Sequence, residues 1–135
     1  MGVCAFVASG LSFDVDRYLK GSPFKVTTVF RKGEIPAKVN PERQSRPDSG
    51  FAVLVNSEES PSLSAQVKPA LQFLAKHEKE IDGLKAHGVD NLLLDFGMEV
   101  GDEIQRSEYL PPELLVAMAR FRMGIVFSAI RIPRG

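Results

Sequence analysis

The feature that most constrains this fold is an apolar stripe followed directly by an apolar strand. Between positions 62 and 87, apolar side chains recur at steps of three, four and seven: Leu63, Val67, Ala70, Leu74, Ile81 and Leu84. At about 100° per residue, these side chains fall on one side of a helix. Residues 91–96, Asn-Leu-Leu-Leu-Asp-Phe, are typical of a buried strand. Together they predict a long helix packed on a β-sheet.

Proline and glycine set the expected limits of that helix. Gly88 follows His87 and is predicted to end the helix in the left-handed conformation, with Val89 closing the cap through an apolar contact. Pro69 falls about one and a half turns into the helix, on the side opposite the stripe. Because proline lacks an amide hydrogen, we expect either a kink there or a regular helix that begins only near Lys68.

The remaining chain predicts the order β-α-β-β-α-β-α-β. The strands are expected at 3–9, 25–31, 50–56, 91–96 and 125–132, with a short helix at 14–20 and a last helix opened by Pro111 and Pro112. This order predicts an α+β fold with one mixed or antiparallel sheet of about five strands. Two main helices are expected on one face, with the other face partly open. The first six elements match a ferredoxin-like split β-α-β plan, extended by an extra α-β unit. A chain of 135 residues fits a single domain, 1–135.

Charge and cysteine content narrow the possible partners and compartment. The chain carries 17 basic and 17 acidic side chains, without the basic excess typical of nucleic-acid binders, so we expect no nucleic-acid partner. Cys4 is the only cysteine, which excludes an intrachain disulfide and favours a reducing, cytoplasmic location. The apolar run at 3–8 is too short to cross a membrane, so we also expect no membrane association.

Motifs for catalysis and cofactors are missing. His77-Glu78 begins like the zinc-protease signature H-E-x-x-H, but Ile81 stands where the second histidine belongs. One cysteine and two histidines are too few for a structural zinc site. There is no glycine-rich phosphate loop and no G-x-S-x-G motif. Cys4 lies in an apolar strand, where a thiol packs as a small hydrophobe. We therefore expect no cofactor or metal, and favour a protein without catalytic activity.

Asp95 is a carboxylate in an otherwise apolar strand, on the face of Leu93 and Gly97. Because an isolated buried charge is costly, this side chain must reach water, a cation or backbone donors. Two interpretations are open: a binding or acid/base carboxylate on the open side of the sheet, or an aspartate near a strand end that already meets solvent. We favour the second.

A long basic loop is the other candidate site. Residues 32–49 contain three prolines, and the loop and its approach carry Arg31, Lys32, Glu34, Arg43 and Arg46. Several guanidinium groups can bind a carboxylate, a phosphate or an acidic partner. The alternative, which we weigh more heavily, is a solvated loop whose charges pair locally and contribute little.

Three short motifs carry a family resemblance: Lys32-Gly33-Glu34, the long helix after the third strand, and Leu110-Pro111-Pro112-Glu113-Leu114-Leu115 leading through Gly124 into the last strand. On these motifs, the chain resembles a family of small bacterial α+β domains of unknown function. The resemblance covers most of the chain from Phe13 onward. The resemblance implies the α+β fold and no particular activity.

Two functions remain as hypotheses. The first is a non-catalytic interaction module that uses the basic loop or the open sheet face. Its partner would be another protein, as for a toxin-neutralising immunity protein, or a second copy in a homodimer formed through an exposed edge strand. The second is an enzyme or small-ligand-binding protein whose pocket joins Asp95, Arg31 and Glu34.

Overall fold

The fold is described here from a computed structural model, for residues 2–34, 46–56, 62–103 and 105–131. These residues form five strands, four α-helices and one 3₁₀ helix. In chain order they are β1 (Cys4–Gly10), α1 (Val15–Leu19), β2 (Thr28–Phe30), β3 (Ser49–Leu54), α2 (Ser64–Lys76), α3 (Glu78–Gly83), the 3₁₀ helix (Leu84–His87), β4 (Asn91–Val100), α4 (Pro112–Arg120) and β5 (Gly124–Arg131).

The strands form one mixed sheet in the order β2-β3-β1-β4-β5. β1 lies antiparallel between β3 and β4, and β2 is antiparallel to β3. Only β4 and β5 are parallel. The first two strands in the chain therefore have β3 between them, and the next two have β1 between them, as a split β-α-β plan requires. The α+β class, the mixed sheet and the extra α-β unit are confirmed.

One face of the sheet carries the helices and the hydrophobic core. On β1, Cys4, Phe6 and Ala8 point into this core, while the residues between them are partly exposed. β4 alternates in the same way. Five of the six stripe residues cover this face as fully buried side chains: Leu63, Ala70, Leu74, Ile81 and Leu84. The helix-on-sheet packing that the stripe predicts is therefore present.

Aromatic side chains fill the centre of the core. The Phe6 ring lies 5.3 Å from Phe73 on α2, 5.7 Å from Phe24 in the α1–β2 connection and 6.3 Å from Phe51 on β3. Ring pairs at such separations stabilise a core beyond the area that they bury. Phe6 thus joins two strands, one helix and one loop.

The long helix differs from the prediction in being divided. α2 ends at Lys76, and His77 has φ −106° and ψ 22°, outside the helical region. α3 and the 3₁₀ helix follow. Because the helix is interrupted at His77, the chain after it can follow the curved surface of the sheet. Ile81 and Leu84 therefore stay buried against the sheet. α2 begins at Ser64 and contains Pro69, so of the two alternatives expected for this proline, the late start near Lys68 is wrong.

Two strands differ from their predicted lengths. β2 covers only Thr28–Phe30, because the preceding chain leaves the sheet to bury Phe24 in the core. β4 continues to Val100, past the predicted end at Phe96. Gly97 does not end it, since its N–H donates to the Val3 carbonyl and the parallel pairing with β5 runs to Arg131.

The predicted glycine cap is confirmed. Gly88 has φ 95°, and the Val89 amide donates to the Leu84 carbonyl. A β-carbon on Gly10 would lie 2.1 Å from the Gly88 carbonyl oxygen. The end of β1 and the helix cap therefore approach each other too closely for any side chain at position 10.

Truncation of the stripe at its centre tests the helix-on-sheet packing. Leu74 is 2% exposed, so Leu74→Ala is expected to lower the free energy of unfolding by about 2–5 kcal/mol, through lost burial and the cavity left behind. Urea denaturation measures this loss. Lys68→Ala, on the exposed side of the same helix, is the control and should change stability little. A loss well under 1 kcal/mol for Leu74→Ala would contradict the packing.

Candidate functional site

The base of the basic loop is a closed turn. The Glu34 amide donates to the Arg31 carbonyl at 3.0 Å, and Gly33 has φ 89°, as the third residue of a type II turn requires. Arg46 joins this turn through two backbone hydrogen bonds of 2.9 Å, to Gly33 and Glu34. The structure thus brings Arg31, Glu34 and Arg46 together with Lys32. Arg43 lies outside the described residues.

Both described arginines of this loop contact the protein itself. The Arg31 guanidinium donates from Nε and Nη2 to the Asp16 carboxylate of α1, at 3.0 and 2.8 Å. This pairing lowers the pKa of Asp16 and raises that of Arg31. The Arg46 guanidinium lies 4.3 Å from the centre of the Phe30 ring, in a cation–π contact. These contacts fit the local-pairing interpretation of the loop.

Asp95 lies on the open face, the side of the sheet opposite the helices. Its Oδ1 accepts a hydrogen bond of 2.7 Å from the Ser128 hydroxyl on β5. It is in the middle of β4 rather than at a strand end, and it is partly exposed. Arg31 directly follows β2 and instead reaches α1 on the helix side, and β3 and β1 lie between β2 and β4. The structure does not bring Asp95 and Arg31 together, so the predicted pocket joining them is not found.

Neither a nucleophilic thiol at Cys4 nor a metal site is present among the described residues. The Cys4 thiol is fully buried, and burial, with a smaller effect from Asp95, raises its pKa to about 12. A thiol of this kind is not a nucleophile near neutral pH. Within the described ranges, no group of three or more His, Cys, Asp or Glu side chains is placed to hold a metal ion.

The edge strand β5 is a surface that sequence reasoning did not single out. Its apolar residues lie at the end of the sheet, where neither side is fully covered. Four large ones are exposed: Ile125 by 36%, Val126 by 39%, Phe127 by 51% and Ile130 by 42%. The signal was present in the sequence as an apolar strand whose only charge, Arg131, lies near its end, but the same pattern is typical of a central strand.

A cavity of about 710 Å³ is the second surface that the sequence did not indicate. It lies at the opposite end of the sheet, between the end of β3, α2 and the connection through Phe24. His77 lines it, with its ring centre 4.9 Å from that of Phe24 and 4.6 Å from that of Phe73. Burial lowers the pKa of His77. Lys76 lowers it further and Glu80 opposes the change.

In comparisons with known proteins, no family model, no curated protein and no solved structure matches this chain. The resemblance to a family of bacterial domains therefore stays a prediction. In the described part of the chain, no helix has the length and apolar character needed to cross a membrane.

The position of His77 predicts a pH dependence of stability. In the unfolded chain, the His77 ring takes up a proton near pH 6.5. In the folded protein its pKa is lower, so the ring takes up the proton only at lower pH. Between these values the unfolded state binds more protons. The contribution of His77 to the free energy of unfolding should therefore be fully present above pH 6.5 and be lost as the pH falls through this window.

An NMR titration of the His77 ring gives its pKa, and urea denaturation at about pH 7.5 and about pH 5.5 gives the change in stability. His77→Phe keeps a ring between Phe24 and Phe73 and should show a smaller decrease over this interval. A measured pKa at or above 6.5 would contradict the described environment.

Proposed function

We propose that this protein is a non-catalytic interaction module that forms a homodimer through its edge strand β5. The observation that carries the proposal is the exposure of this strand. Seven of its eight residues are exposed, and large apolar side chains are among them on both sides of the sheet. Every second residue of such an edge directs its N–H and C=O groups away from β4, where another strand can accept them.

The composition of β5 favours a second copy as the partner. Its only charged residue is Arg131, at its end. Natural edge strands that stay unpaired are usually short or protected by charges, by proline or by bulges. An antiparallel pair of identical strands would place the two Arg131 side chains at opposite ends, so like charges would not face each other. The same pairing would cover apolar side chains of both copies at once.

The flank of α4 extends this apolar surface. The Arg120 guanidinium bonds Glu78 and Asp82 of α3, which fixes one side of α4 toward that helix. Leu115 lies about 140° around the helix from Arg120 and is 42% exposed. α4 also contacts α2, so its flank away from α2 and α3 is the one left to face the β5 edge. A dimer would therefore pack α4 beside its copy, above the paired strands.

Symmetry limits how two β5 strands can pair. A twofold axis perpendicular to the sheet keeps the helices of both copies on the same side, so each residue must face a residue of the same face. The axis then passes midway between one residue and its own copy on the facing strand. Pairing centred on Phe127 or on Ser128 overlaps seven of the eight residues of β5.

The basic loop is less well supported as a recognition surface, because Arg31 and Arg46 already contact Asp16 and Phe30. A toxin-neutralising role has no described feature that favours it over self-association. We include a cytoplasmic location in the proposal. It is supported by the single cysteine, which is buried as a free thiol.

Charged substitutions on the edge test self-association. Val126→Lys with Ile130→Lys should weaken the dimer by at least about tenfold, because both side chains lie on the face of Asp95, where four lysines would bring like charges together across the two paired strands. Sedimentation velocity over an about hundredfold range of protein concentration measures the dissociation constant. Thr28→Lys on β2, the other edge strand, is the matched control and should leave it unchanged.

Cysteine cross-linking tests the geometry directly. Phe127→Cys and Ser128→Cys each place a thiol where the twofold axis can pass, and opposed Cα atoms in antiparallel strands are close enough for a disulfide. The buried Cys4 should not interfere, and Thr28→Cys is the control. Rapid oxidation of one β5 variant to a covalent dimer is expected. A protein that is monomeric throughout, with cross-linking no faster than the control, would overturn the proposal.

A further inference from the structure

The cavity beside α2 exists because β2 is shorter than the strand that it pairs with. The last pair between them is Thr28 with Ala52, after which the Thr27 amide and hydroxyl both donate to the Ala52 carbonyl. Beyond Ala52, β2 no longer borders β3. The chain from Pro23 to Lys25 passes across this gap toward α2 and leaves a space of about 710 Å³. This volume is within the range of small-molecule sites, about 300–1,000 Å³.

The inner wall of the cavity is apolar and aromatic. Phe24, Phe73 and Val53 are buried side chains of the core that also line the cavity. The His77 ring lies against both phenylalanines, and Pro69 adds an apolar surface on the α2 side. Such a wall is suited to a flat or aliphatic group that leaves water.

Two lysines are among the described residues at the rim of the cavity. Lys25 comes from the connection before β2, and Lys76 from the end of α2. Both lysines are exposed, and no Asp or Glu is among the described residues that line the cavity. Two ammonium groups beside an aromatic wall attract an anion whose remaining part is apolar, and they disfavour a cation.

From this combination we infer that the cavity binds an organic acid, a carboxylate attached to an aromatic or aliphatic body. The carboxylate meets Lys25 and Lys76, and the body lies against Phe24, Phe73 and Pro69. Ligand binding is thus separated from Asp95 and Arg31, which do not line this cavity. The site also lies at the end of the sheet away from β5, so it does not depend on the proposed homodimer.

Three probes with the same naphthyl body and similar size test the chemistry of the ligand: naphthoate, the neutral naphthylmethanol and the cation naphthylmethylammonium. Titrations followed by ¹H–¹⁵N correlation NMR on the full chain give both the affinity and the position of binding. Naphthoate should bind about tenfold more tightly than the alcohol, and the cation most weakly. The amide signals of Phe24, Lys76 and His77 should shift most.

Lysine variants test the rim. The double variant Lys25→Gln, Lys76→Gln should bind naphthoate no more tightly than the alcohol, whereas Lys76→Arg alone should keep the preference. Lys79→Gln, an exposed lysine of α3 outside the cavity, is the matched control. The inference is overturned if naphthoate shows no preference over the alcohol, if the shifted signals lie along β5, or if the control loses as much affinity as the double variant.

Discussion

The contact between the helical stripe and one face of the sheet is the interaction on which the rest of this structure depends. The sheet is covered by Leu63 at the N-cap of α2, Leu74 in α2 and Ile81 in α3. Phe6 links the sheet to α2 through Phe73. The free energy gained by such burial is roughly proportional to the apolar area removed from water. The covered face of the sheet therefore makes a large contribution to stability. The bend at His77 belongs to this contact, because it lets the second half of the stripe remain on the same face.

The same packing determines which surfaces are left for binding. The main helices all pack on one face of the sheet. They therefore do not cover the open face or the two edge strands. The two edges differ. β2 has three residues and is followed by the turn at Gly33, which Arg46 closes with two backbone hydrogen bonds. β5 has eight residues with a single charge. Protection against strand pairing is therefore concentrated at the β2 edge, and the β5 edge lacks it.

Local patterns allowed much of this fold to be predicted. The 3.6-residue stripe, the strands around it and the Gly88 cap depend on neighbouring residues, and all are found. The shortening of β2 depends on Phe24 leaving the sheet to meet Phe6 and Phe73, a contact between distant parts of the chain. The order of the strands in the sheet also depends on contacts between distant parts of the chain. Residue patterns therefore could not show that β5 is an edge strand or that Asp95 and Arg31 lie apart. Asp95 was correctly assigned to the less buried face by alternation, and only its partner Ser128 required the parallel pairing with β5.

The two binding surfaces lie at opposite ends of the sheet, which has a consequence for how they combine. Pairing of two β5 strands would make a continuous sheet of ten strands, with the two cavities beside the two β3 strands. Seven strand spacings separate those strands, or roughly 34 Å at about 4.8 Å each. Neither cavity loses a wall when the dimer forms, because the lining comes from β3, α2 and the connection through Phe24. Ligand binding can then influence association only if it shifts the strands between them, and the shared core around Phe6 and Phe73 resists such a shift.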